Sequence, residues 1–79
     1  MNAHAAPAKQ QLLTHFARVA KALASPVRLE LLEALAQGER GVDELAHATG
    51  FPMANTSHHL QVLRDGGLVR SRREGVQVI

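Results

Sequence analysis

Cysteine and tyrosine are both missing from these 79 residues. Without cysteine the chain has no disulfide, no thiolate metal site and no thiol nucleophile. No apolar run approaches the roughly 20 residues of a membrane span, and the N-terminus lacks the basic start and apolar core of a secretory signal. A cytoplasmic location is therefore expected. Neither an HExxH helix nor a phosphate-cradling glycine loop occurs, which leaves little material for catalysis, and neither an enzyme nor a bound cofactor is expected. A chain this short buries only about 60 % of the surface it exposes when unfolded. With no disulfide to support so small a core, self-association is expected.

What is present is unevenly placed. Residues 1–51 hold five basic and five acidic side chains, whereas residues 52–79 hold Arg64, Arg70, Arg72 and Arg73 against Asp65 and Glu74. The whole surplus of +2 lies in the last third and is made of arginine, which points to a polyanionic partner. MNAHAAPA, residues 1–8, has no periodicity and reads as a flexible tail ahead of a domain at 9–79. From Lys9 the apolar residues Leu12, Phe16, Val19 and Leu23 form one helical stripe ending near Ala24. Ser25-Pro26 is a helix start, and VRLELLEALAQ runs from it to a stop at Gly38. The apolar arc of this second helix covers more than half its wheel. Arg28 falls inside the arc, where it is expected to snorkel or to pair with a carboxylate. VDELAHAT gives a third helix closed by Gly50, and Met53 to about Asp65 a fourth closed by Gly66-Gly67. LVRSRR and VQVI, around Glu74-Gly75, then read as a hairpin.

The third and fourth helices carry the functional signal. ELAHATGFPMANTSHHLQVL has helix-turn-helix spacing: small Ala46 where the helices cross, Gly50 at the turn, and Thr56, Leu60 and Leu63 at i, i+4 and i+7 on an inner face. Ala54, Asn55, His58, Gln61 and Val62 point the other way. That face is short-chained, polar and nearly uncharged, as insertion into a major groove requires: Asn and Gln pair with adenine, His meets guanine acceptors, Ala and Val touch a thymine methyl. A wet face serving structure alone more often carries Lys/Glu pairs. Arg70, Arg72 and Arg73 flank the hairpin tip, within reach of phosphates or the minor groove.

His58 and His59 are adjacent, and neighbouring helical residues point about 100° apart, so both cannot ligate one metal from a regular helix. No metal site is expected. A Ser57–His pair would need an orienting acid and a closed pocket, which a domain this size hardly offers. His58 faces out and is a candidate DNA contact; His59 sits beside the inner group and is expected to pack.

ALASPVRLELLEALAQGE, ELAHATGFPMANTSHHLQVLRDGGLV and RSRREG, in that order across residues 15–79, resemble the ArsR/SmtB family of winged-helix bacterial repressors. The resemblance implies a mainly α fold with a small β-hairpin, a winged helix-turn-helix of four helices and then a two-stranded wing. It also implies a homodimer that represses transcription from a palindromic double-stranded DNA operator and is released by a small inducer. Asn55, Ser57, His58 and Gln61 form the expected reading set, and Arg64, Arg70, Arg72 and Arg73 the phosphate contacts. There are departures. Metal-sensing members carry a cysteine motif where this chain has Arg40-Gly41-Val42-Asp43, and thiol-based sensing is likewise ruled out. Members also carry a last helix after the wing that builds much of the dimer, whereas this sequence ends at Ile79, inside the expected second wing strand. The dimer is accordingly expected to be weak and the wing poorly paired. The ANTSHHLQVLR wording is similar to members whose regulator domain precedes a rhodanese-like domain. Two alternatives stay open: a winged-helix interaction module that does not read DNA, and the regulatory fragment of a larger enzyme-fused protein.

Overall fold

Helix α1 spans Ala5–Leu23 in the computed structural model, which describes residues 5–79 and the side chains from Pro7 onward. It starts four residues ahead of the expected Lys9, so only residues 1–4 of the expected tail lie outside the described part. The early start has a simple cause: alanine is the best helix former, and Pro7 occupies the first turn, where a missing N–H has no intrahelical partner to lose. Every side chain from Pro7 to Arg18 is exposed, and of α1 only Ala22, in the last turn, reaches the core.

Ser25 then breaks the helix in extended geometry (φ −158°, ψ 125°) and accepts the Arg28 N–H at 3.3 Å, capping α2 (Pro26–Ala36) as its sequence predicts. Leu31 and Leu35 are buried on this helix, which touches α1, α3, α4 and the wing. The apolar arc is narrower than expected, because Leu29 is 51 % exposed and Ala36 faces solvent. Helix α3 (Val42–Thr49) ends at Gly50, whose φ of 79° and ψ of 9° turn the chain left-handed while its N–H donates to the Ala46 carbonyl at 2.9 Å. Helix α4 (Met53–Asp65) follows, with Thr56, Leu60 and Leu63 buried as its spacing requires. The buried Thr56 hydroxyl is satisfied locally, donating to the Pro52 carbonyl at 3.0 Å.

The wing is an antiparallel pair, β1 (Val69–Arg72) and β2 (Gly75–Val78), in register from Val69↔Val78 to Arg72↔Gly75. Its tip is Arg73-Glu74, so Gly75 opens β2 and is not part of the turn. Glycine is required there on two counts: its φ is 154°, which side chains rarely allow, and a Cβ at position 75 would collide with the Arg40 carbonyl, because Arg40 bridges to Val76 along the other side of β2. The weak pairing expected of the second wing strand is not seen. β2 pairs along all of β1, Val76 exchanges two hydrogen bonds with Arg40 (2.8 and 3.2 Å), and the Ile79 N–H donates to the Leu68 carbonyl at 3.1 Å.

A single apolar cluster joins Ala22, Leu31, Leu35, Leu45, Leu60, Leu63, Val69 and Val76 from every element. Among the described residues no helix is long and apolar enough to cross a membrane. The observed fold is the four-helix, two-strand winged helix-turn-helix expected from the sequence.

Candidate nucleic-acid interface

The core pins one side of α4 through Thr56, Leu60 and Leu63, and this fixes what the other side presents. Ala54, Asn55, Ser57, His58 and Gln61 are all exposed. Val62, expected on this face, is half-buried against the core and lines a groove with Thr14, Ala17, Arg18 and Lys21 of α1. The reason is a crossing: the last turns of α4 run into α1, where a Cβ at Gly66 would stand 2.8 Å from that of Ala22. The outward face is therefore the N-terminal two-thirds of the helix.

Its side chains fall into two states. Asn55, Ser57 and His58 make no side-chain hydrogen bond among the described residues, so their polar atoms are available to a partner. Gln61 is engaged at both ends, donating to Asp65 Oδ1 at 2.9 Å and accepting from Arg64 Nη1 at 3.3 Å. Arg64 in turn donates through Nε to Ser71 Oγ at 2.8 Å, tying the end of α4 to β1.

The wing arginines divide in the same way. Alternation along β1 places Val69 and Ser71 toward α4 and sends Arg70 and Arg72 to the opposite face. There both donate to Gln77 Oε1, Arg70 at 3.1 and 3.2 Å and Arg72 at 3.2 Å, while Arg72 Nε lies 3.5 Å from Glu39. Arg73, at the tip, is exposed and has no such partner among the described residues. All eight sequence-predicted residues lie on α4 or the wing, with Asn55, Ser57, His58 and Arg73 uncommitted and Gln61, Arg64, Arg70 and Arg72 held internally.

The histidines separate as their angular offset requires. His58 is exposed, whereas His59 is half-buried and its Nδ1 lies 3.1 Å from Arg28 Nη1. Burial, then the Arg28 charge, then His58 hold the His59 imidazole below the ordinary histidine pKa of 6.5. Arg28 departs from expectation. It meets no carboxylate; its other nitrogens donate to the Ala22 and Lys21 carbonyls at 2.7 Å each. The sequence held a clue to this. An arginine two residues into a helix that begins just after another ends lies next to the last-turn carbonyls of the first, which have no intrahelical N–H partner. Ser71 and Gln77 were missed too, and strand alternation could have placed both.

Helix α3, a tight turn at Gly50, helix α4 with an exposed outer face and a basic hairpin after it define a winged helix-turn-helix domain. Comparison with known proteins adds the family. Residues 25–71 match the bacterial regulatory protein, arsR family, and the chain belongs to that family. The HTH-type transcriptional regulator Rv0324 of Mycobacterium tuberculosis is 52 % identical over 69 residues, covering 87 % of this chain and 30 % of that protein. NmtR, an HTH-type transcriptional regulator of the same organism, is 38 % identical over 78 residues, covering 99 % of this chain and 65 % of that protein. The chain thus spans less than two thirds of either relative. A solution structure of the homodimeric winged helix-turn-helix DNA-binding domain (fragment 1–100) of Mycobacterium bovis Mb0332 superposes with a TM-score of 0.84 at 49 % identity, covering 89 % of this chain and 68 % of that one.

Proposed function

We propose that this domain is a sequence-specific transcriptional regulator that binds a palindromic operator as a homodimer and represses from it in the cytoplasm. The observation that carries the reading is the outer face of α4, where Asn55, Ser57 and His58 stand exposed and uncommitted beside a wing rich in arginine. In this reading α4 enters the major groove, and those three residues meet base edges. Gln61 reads a base only by giving up Asp65 or Arg64, so its contribution is smaller than that of the other three. Arg64, Arg70, Arg72 and Arg73 neutralise phosphates; Arg73 is free to do so at once, and the others exchange internal partners for DNA oxygens.

The dimer is supported by α1, where Leu12, Leu13 and Phe16 are each at least half exposed among the described residues. Pairing of two such helices about a two-fold axis would present two α4 helices to half-sites about 10–10.5 base pairs apart. The homodimeric state of the Mb0332 domain supports the same arrangement.

Selection of genomic fragments by the purified protein, followed by gel shift at several salt concentrations, tests the whole reading. A shared palindrome and an affinity that falls steeply with salt are expected. Retention of random duplex as well as any selected one, with a flat salt response, would favour an interaction module instead.

A further inference from the structure

The strongest contact set that DNA reading does not absorb lies behind α4. Arg28, half-buried in the first turn of α2, uses three of its nitrogens on three targets: Nε on the Ala22 carbonyl, Nη2 on the Lys21 carbonyl and Nη1 on His59 Nδ1. The last carbonyls of a helix have no intrahelical partner and carry the negative end of its dipole, so a guanidinium satisfies both needs at once. Beside this cluster Ala22 is buried against Gly66, where α4 ends. The end of α1, the start of α2 and the body of α4 therefore meet through one side chain.

The third contact constrains the imidazole. Guanidinium has donors only, so Nδ1 must accept, and a ring that accepts at Nδ1 is neutral with its proton on Nε2. Protonation would replace this bond with two facing cations. The titratable and charged groups that face the ring are Arg28 from α2 and His58, 5.4 Å away ring to ring on α4; from α1 the joint receives the Lys21 and Ala22 carbonyls. Since its folded pKa lies below the unfolded value, His59 contributes stability that is fully present above about pH 6.5 and lost as pH falls through the folded value.

We propose that Arg28 and His59 are positioning residues for DNA recognition, a joint that sets the pitch of α4 against α1 and so couples the dimer helix to the reading face. This inference rests on the DNA reading above. The joint requires the neutral Nε2–H form of His59, so it opens in acid.

Two measurements test it. Nitrogen-detected NMR titration of the imidazoles needs no DNA: His59 should carry its proton on Nε2 and titrate below the ordinary histidine value of 6.5, and in R28M it should lose that preference and titrate higher. Titration of His59 at or above the ordinary histidine value in the unsubstituted protein would overturn the joint. The second measurement is anisotropy with a duplex selected from genomic fragments, on variants first shown to be folded by circular dichroism. R28K and H59L should each weaken binding about tenfold, as expected when a charge-assisted hydrogen bond is lost. H59N, whose amide oxygen stands close to the place of Nδ1, should recover to within about threefold. Below the His59 titration the unsubstituted protein should lose affinity relative to H59N, which has nothing to protonate there. Equal binding by H59L and H59N, or parallel pH profiles for H59N and the unsubstituted protein, would overturn the positioning role. Failure to select any duplex would sink the DNA reading and the positioning role with it, while the imidazole titration would still decide whether the joint exists.

Discussion

Helices α1 and α2 carry similar apolar stripes and put them to different uses. In α2 the stripe disappears into the protomer: Leu31 is fully buried and Leu35 nearly so. In α1 Leu12, Leu13, Phe16 and Leu23 of the stripe face outward, Val19 is half-buried, and Ala22 beside them is covered. Periodicity therefore reports that a face will be buried somewhere, not whether the same copy does the burying. The difference follows from position. Helix α2 is surrounded by α1, α3, α4 and the wing, whereas among the described residues α1 meets α2 and α4 along its C-terminal half, most closely at Ala22, Gly66 and Arg28.

The sharpest way to break this contrast is to truncate one residue from each stripe. Leu31→Ala should cost about 2–5 kcal/mol of folding stability in urea unfolding, a large part of what a domain of this size possesses. Phe16→Ala should cost under about 0.5 kcal/mol when unfolding is followed at monomeric concentrations, yet weaken dimerisation by about 2 kcal/mol or more in sedimentation equilibrium if the stripe forms the centre of an interface. Equal loss of protomer stability in the two variants would end the distinction. The two histidines give a finer contrast on α4. His58→Ala should remove about 1–3 kcal/mol of operator binding with little change in Tm, and relax specificity at one base pair. His59→Ala should lower Tm first, as measured by calorimetry, because the Arg28 joint goes with it. The smallest effect is expected at the wing tip, where Arg73→Ala should weaken binding evenly across sequences and reduce the salt slope by about 1.

Much of the fold could be read in advance because it is written locally. The Ser25-Pro26 cap, the left-handed Gly50, the inner set Thr56, Leu60 and Leu63 and the hairpin each depend on residues within one or two turns of one another. The exposure of Ala54, Asn55, Ser57, His58 and Gln61 followed from the same local spacing. What escaped depends on partners distant in sequence or on close backbone approach. Arg28 and His59 are 31 residues apart, and nothing in either neighbourhood points to the other. Val62 was placed outward because helical phase alone does not show that α1 crosses the end of α4. Gly75 was placed in the turn for its tolerance of positive φ, which it does adopt at 154°, but the Arg40 backbone lying against it, which also demands glycine, could not be foreseen. The ties of Arg64 to Ser71 and of Arg70 and Arg72 to Gln77 were likewise invisible, since they depend on where the wing lies and which side chains its register brings together. The Gln61 ties to Arg64 and Asp65, by contrast, are local to α4, and their i, i+3 and i, i+4 spacing could have shown them.

The Arg40 bridge has an effect on solubility. It gives β2 a neighbour on both sides, leaving β1 as the outer strand of the small sheet. An outer strand is a template onto which another molecule's strand can stack, and proteins commonly discourage this with short length and charge. Four residues long and bearing Arg70 and Arg72, with Arg73 just beyond, β1 has both protections. Replacing those arginines to test the proposed phosphate contacts would therefore also strip the guard from that edge, and a variant without them should be watched for aggregation before any change in binding is interpreted.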